Sequence, residues 1–128
     1  MPRVAHRRYD CVPGCSVEAT LAIIGGKWKG VILHHLGTAD YLRFGDLRRR
    51  MPNVTQRMLT TQLRELEEDG LITRKIYAQV PPRVDYSLTD AGRLLSPLIA
   101  ALGEWAKVNL DERGRPRFSQ PLSAGETA

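Results

Sequence analysis

Residues 54–88 read VTQRMLTTQLRELEEDGLITRKIYAQVPPRVDYSL, and this stretch decides the fold. Thr55 suits an N-cap, because its side-chain oxygen can accept from the free N–H groups of a first helical turn. Val54 before it and Leu59 at the fourth helical position have the spacing of a hydrophobic staple. Met58, Leu59, Leu63 and Leu66 recur at helical spacing and predict a buried stripe, and Gly70 predicts the stop. Two short β-type runs follow, Leu71–Tyr77 and Arg83–Leu88. In the second, Val84, Tyr86 and Leu88 alternate with Arg83, Asp85 and Ser87, which predicts a half-buried strand. The first alternates less well, so its facing stays open.

Upstream, a third helix from about Phe44 turns Phe44, Leu47 and Met51 inward, and Pro52 closes it. Tyr41-Leu42-Arg43 reads as a brief extended piece. A second helix carries Trp28, Val31, Ile32, His35 and Leu36 on one face and ends at Gly37. A first helix starts after Ser16 as N-cap and runs to Ile24, with Val17, Leu21 and Ile24 on one face and Gly25-Gly26 as its stop. Downstream, Thr89 caps a long last helix to about Asn109 whose Leu95, Leu98, Leu102 and Trp105 share a face. The order is helix, helix, short strand, helix, helix, two-stranded hairpin, helix. That is a mainly α chain with a small β-wing, a winged helix-turn-helix. With 128 residues there is room for one domain. It is expected over 13–110, between tails 1–12 and 111–128 that are thin in apolar residues and expected to be flexible.

In such an arrangement the second helix of the helix-turn-helix enters the major groove of duplex DNA, with its N-terminal residues at the base edges. Here that half presents Gln56, Arg57, Thr60 and Thr61, with Arg64 a turn further on. Arg bonds guanine bidentately, Gln bonds adenine, and a Thr methyl can meet the thymine methyl. No Asp or Glu occurs between Val54 and Arg64, whereas Glu65, Glu67, Glu68 and Asp69 crowd the other half. A carboxylate in the first half would repel phosphate. Double-stranded DNA is the expected partner.

The overall charge agrees: 19 Lys plus Arg against 14 Asp plus Glu give a net +5. Arg43, Arg48 and Arg49 around the third helix, and Arg74, Lys75 and Arg83 on the hairpin, are candidates for phosphate or wing contacts, with Lys27. Such contacts position a protein without reading sequence. Gly25-Gly26-Lys27 is not a phosphate-binding loop, because Trp28 follows where Ser or Thr is required. No apolar run approaches the roughly 18–20 residues of a membrane span, and no apolar leader follows the basic start. A cytoplasmic protein with no membrane partner is expected. Cys11 and Cys15 with His6, His34 and His35 make no convincing metal set, and no cofactor is expected.

Several stretches together resemble the HxlR-type family of bacterial regulators. They are 24–29 (IGGKWK), 42–48 (LRFGDLR), 55–59 (TQRML), 63–72 (LRELEEDGLI) and 80–89 (VPPRVDYSLT). Their order and spacing are kept from about Cys15 to Trp105. The resemblance implies a dimeric winged-helix transcription factor, often a repressor, and several members respond to electrophiles or oxidants. It also implies that Trp28 sits in the core and that Gly25-Gly26 joins two helices. A dimer formed through the first and last helices would use Val17, Leu21, Leu95, Leu98, Leu102 and Trp105. It would set two reading helices roughly 34–36 Å apart and call for a pseudo-palindromic operator.

The family places a cysteine ahead of Pro-Val-Glu at the start of the first helix. Cys15 holds that position here, with Ser16 in place of the proline. A thiol at a helix N-terminus is favoured as thiolate, which makes Cys15 a redox-sensing candidate. His6, Arg7 and Arg8 would add to this and Glu18 would oppose it. A small, partly buried residue without a sensing role is the competing reading. Some redox-sensing relatives carry a second cysteine where this chain has Met51. Cys11 within the chain, or Cys15 of a second copy, is then the partner for oxidised Cys15. Two rival functions stay open: a winged-helix module that binds protein or RNA, and a regulator governed by a small-molecule effector rather than a thiol. An enzyme is not expected. The spacing of Cys11 and Cys15 does not match a C-x-x-C motif, and no nucleophile, base and orienting group fall together.

Overall fold

The computed structural model describes residues 14–117 of the chain. Two compact units divide between Ser96 and Pro97. The first contains α1 (Cys15–Ile24), α2 (Lys29–Gly37), β1 (Leu42–Arg43), α3 (Phe44–Arg50), α4 (Gln56–Glu68), β2 (Ile72–Tyr77), β3 (Arg83–Leu88) and α5 (Asp90–Leu94). Its strands form an antiparallel sheet in the order β1-β3-β2, so the predicted hairpin gains β1 as a third strand. Leu42 pairs with Tyr86 and Arg43 with Asp85, while β2 and β3 run in register from Ile72 and Leu88 to Tyr77 and Arg83. This is the winged helix predicted from the element order.

The core of this unit is apolar and tightly closed. Ile32, Leu33 and Leu36 of α2, Leu47 of α3, and Leu59, Leu63 and Leu66 of α4 are all buried, with Leu42, Met51, Val54, Leu71, Ile72 and Leu88. Three predicted facings need correction. Met58 is exposed, because it lies about 100° round the helix from Leu59 and falls on the flank of the stripe. The buried face of α2 is Lys29, Ile32, Leu33 and Leu36, not the Trp28, Val31, His35 row. Trp28 caps the helix half-buried, and Val31 is exposed. On β3 the buried residues are Asp85 and Leu88, so an acid replaces the expected apolar face.

Helix ends follow local chemistry. The Thr55 hydroxyl accepts from the Met58 N–H at 3.0 Å and caps α4. At the other end Gly70 takes φ +77, and the Gly70 and Leu71 amides return to the carbonyls of Glu67 and Leu66, each at 3.0 Å. Only a residue free of a Cβ adopts that turn cheaply. Helix α1 begins two residues earlier than predicted, because Gly14 in the left-handed region, not Ser16, is its N-cap and Cys15 its first residue.

The single long last helix is also corrected. It breaks at Leu95 into α5 and α6 (Ser96–Asn109). Pro97 explains the break, since it has no N–H for the Arg93 carbonyl and its ring crowds that carbonyl. In the second unit, α6 runs on into a closed turn past residue 110, the predicted end of the folded domain. Leu110 bridges Pro116, and the Asp111 carboxylate accepts from the amides of Arg113 and Arg115 at 2.9 and 3.0 Å. Among the described residues no helix is long and apolar enough to cross a membrane.

Candidate nucleic-acid interface

Helix α4 separates two faces. Leu59, Leu63 and Leu66 anchor it in the core. Gln56, Arg57, Thr60, Thr61 and Arg64 are all exposed and together line one shallow concavity. The sequence places these five residues on one helix, and the structure brings them onto one surface. The hydroxyls of Thr60 and Thr61 donate to the carbonyls of Gln56 and Arg57, at 2.8 and 3.0 Å. Each hydroxyl proton is thereby committed to the backbone, so each threonine meets a ligand as an acceptor and a methyl group. Arg57 and Arg64 keep planar donor forks that suit a guanine edge or a phosphate.

The flanking basic residues differ in what holds them. Lys27 is exposed and lies over the Trp28 ring, 4.9 Å from its centroid. Arg49 pairs with Asp46 in α3, whose carboxylate also accepts the Arg43 amide at 2.9 Å and so closes the start of that helix. Arg48 is half-buried beside it. On the wing, Arg74 approaches Glu67 at 3.7 Å, and Lys75 lies over the Tyr77 ring at 5.0 Å.

Arg83 is engaged most of all. Its Nε and one terminal nitrogen donate to the two oxygens of Asp85, each at 3.0 Å. Its guanidinium also stacks on Tyr41 and Tyr77, at 5.1 and 4.7 Å. Arg43 reaches the same carboxylate at 3.9 Å. The hydrogen bonds from Arg83 hold the Asp85 carboxyl below its ordinary range against the opposing pull of burial. Arg83 therefore joins β3 to Tyr77 of β2 and to Tyr41 just ahead of β1, at the loop end of the hairpin, a role that its charge alone does not reveal. Asp85 two residues after Arg83, on the same pleat face, is the sequence signal that could have suggested the pair.

Sequence reasoning also missed Lys29. It is 4% exposed, and its Nζ lies 2.6 Å from Glu65 Oε1 on α4. Its helical spacing with Ile32, Leu33 and Leu36 marks it as a lysine on an apolar face, which requires a partner. Cys15 is buried at the start of α1. Cys11, His6, Arg7 and Arg8 lie outside the described residues. Val17 and Leu21 of α1 are exposed, as are Leu98, Leu102 and Trp105 of α6, while Leu95 is half-buried.

Comparison with known proteins agrees with this geometry. The model of the HxlR-like helix-turn-helix family matches residues 23–114. The chain is 58% identical over 104 residues to the HTH-type transcriptional regulator YtcD of Bacillus subtilis (strain 168), covering 81% of this chain and 82% of that one. It is 53% identical over 103 residues to YybR, an HTH-type transcriptional regulator of the same organism, covering 80% and 82%. Among solved structures, the redox regulator HypR in its oxidized form superposes with a TM-score of 0.72 at 52% identity. That match covers 76% of this chain and 99% of HypR. An exposed polar surface without a carboxylate on a capped helix, followed by a β-hairpin, thus occurs in a chain whose relatives are helix-turn-helix regulators of transcription. The chain belongs to the HxlR-like helix-turn-helix family.

Proposed function

We propose that the protein is a sequence-specific DNA-binding repressor that recognises a pseudo-palindromic operator as a homodimer. The observation that carries this reading is the exposed face of α4. Gln56, Arg57, Thr60, Thr61 and Arg64 form one exposed polar surface without a carboxylate, seated on three buried leucines. In this reading they meet base edges in the major groove. Lys27, Arg43, Arg48, Arg49, Arg74 and Lys75 supply phosphate contacts, and Arg83 acts mainly by holding the wing. A second copy covers the exposed apolar rows of α1 and of α6, each of which would otherwise face water. The wing and reading helix of each protomer then meet one half-site.

The effector reading rests on Cys15. It lies in the first turn of α1 and is buried, so an added group there displaces its neighbours. HypR, a redox regulator, supports an oxidant or electrophile as the signal. Cys11, or Cys15 of a second copy, resolves the oxidised thiol.

The test is fluorescence anisotropy on a duplex carrying the upstream intergenic region of the protein's own gene, before and after diamide. Tight, salt-sensitive binding that Arg57→Ala abolishes and that diamide weakens supports both parts. Retained binding in Cys15→Ser after diamide completes the thiol assignment. Binding indifferent to diamide removes the switch and favours a small-molecule effector. Binding indifferent to Arg57→Ala removes the reading face.

A further inference from the structure

We propose that the buried Lys29–Glu65 ion pair is a positioning contact that sets the rotation of α4 about its own axis, and so decides which bases its reading face can bond. This rests on the DNA-reading function above. Nothing local explains Lys29. It stands in the first turn of α2, where the helix dipole disfavours a cation, and it is 4% exposed, where an unpaired ammonium is costly. Its place is explained by Glu65, 2.6 Å away on α4. The two helices pack on each other, and this pair joins their side chains by a hydrogen bond.

The pair has the direction that the leucines lack. Leu59, Leu63 and Leu66 hold α4 by apolar packing, which is non-directional and tolerates small rotations. Glu65 lies about 100° round the helix from Leu66 and directly after Arg64, on the flank between the core stripe and the reading face. A side chain reaches about 6 Å from the helix axis, so a rotation of about 10° carries its tip about 1 Å sideways. Hydrogen bonds to base edges fill a window of about half an ångström, so that slip breaks them. A clamp on the flank opposes rotation more directly than contacts at the base of the helix.

Stability alone does not account for such a pair. A buried ion pair replaced by apolar residues of similar size is often no less stable, and alignment is the property the replacement loses. Glu65 is also the first acid after the reading face, and Lys29 compensates its charge next to Arg64.

The experiment enriches binding sites from a randomised duplex library with the full-length protein, then measures affinity for the enriched sequence and for a scrambled duplex of equal composition. Three proteins are compared: wild type, Lys29→Met/Glu65→Leu, and Glu65→Asp, which keeps both charges but shortens the reach by one methylene. In the folded variants, affinity for the enriched sequence is expected to fall about tenfold or more, as when one well-aligned base contact is lost. Affinity for the scrambled duplex and the salt dependence stay as in wild type, because phosphate contacts do not need the alignment. Discrimination kept within about twofold in either folded variant, a change smaller than one base contact, overturns the proposal. An equal loss on both duplexes overturns it too, since that is a folding or charge effect. If wild type enriches no sequence, the DNA-reading function fails, and the positioning role fails with it.

Discussion

At the residue scale, Gly92 has no room for a side chain. A Cβ there would lie 2.2 Å from the Leu71 carbonyl oxygen and 3.2 Å from a Leu88 methyl. Gly92→Ala is expected to destabilise the fold by about 3 kcal/mol, since backbone has to move to admit one methyl, and urea denaturation measures it. An unchanged midpoint would mean that α5 shifts freely. The basic residues divide by what they touch. Arg64→Ala should cost about 1–3 kcal/mol on the preferred sequence and little on others. Arg48→Ala should weaken binding on every duplex and lower the salt slope by about one. Titrations at several salt concentrations on two duplexes separate these outcomes. Arg64 is legible in the sequence because its helical spacing from Arg57, Thr60 and Thr61 is local. Gly92 is not, because its reason is a carbonyl from a distant turn.

At the element scale, the junctions carry the information. Thr89 caps α5 by accepting the Gly92 N–H at 3.0 Å, and its hydroxyl donates to the Gly70 carbonyl at 2.6 Å. One residue thus joins the end of α4 to the start of α5, and Thr89→Val is expected to cost about 1–2 kcal/mol by thermal denaturation. The wing is held from inside by Asp85. The native carboxyl titrates below the ordinary value of 3.8, so near that pH the unfolded chain binds more protons than the native one. The stabilisation is therefore complete above that value and is lost as the pH falls through the native one. Wild type should lose thermal stability more steeply with acid than Asp85→Asn does. Equal slopes would show that Asp85 contributes nothing specific. The sheet was legible as a hairpin from alternation, but β1 pairing and the buried acid were not, because they depend on which strand lies at the centre.

At the scale of the whole molecule, the apolar rows left on the surface matter most. Val17 and Leu21 are 61% and 57% exposed, and Leu102 and Trp105 are 55% and 56% exposed. Rows of this kind suit cover by a second copy. Leu102→Glu with Trp105→Glu is expected to yield a folded monomer with much weaker operator binding, since one half-site then binds alone. Light scattering after size exclusion reads the mass, and circular dichroism checks the fold. A double variant that remains dimeric would place the interface elsewhere.

Local sequence set the order of the elements up to α4 and the hairpin, the caps of α4, and which polar residues share its exposed face. Each of these depends on residues within a few positions of one another, where helix periodicity, capping and turn chemistry act. Tertiary structure alone decided that Lys29 faces inward toward Glu65, that Arg83 is held by Asp85 and two tyrosines, and that Met58 stays outside. The interruption at Leu95 stands between the two cases: Pro97 announces it locally, but the leucine spacing on either side conceals it. Local rules assign a charged residue to the surface. Only the packed fold shows when a partner from another element makes its burial possible.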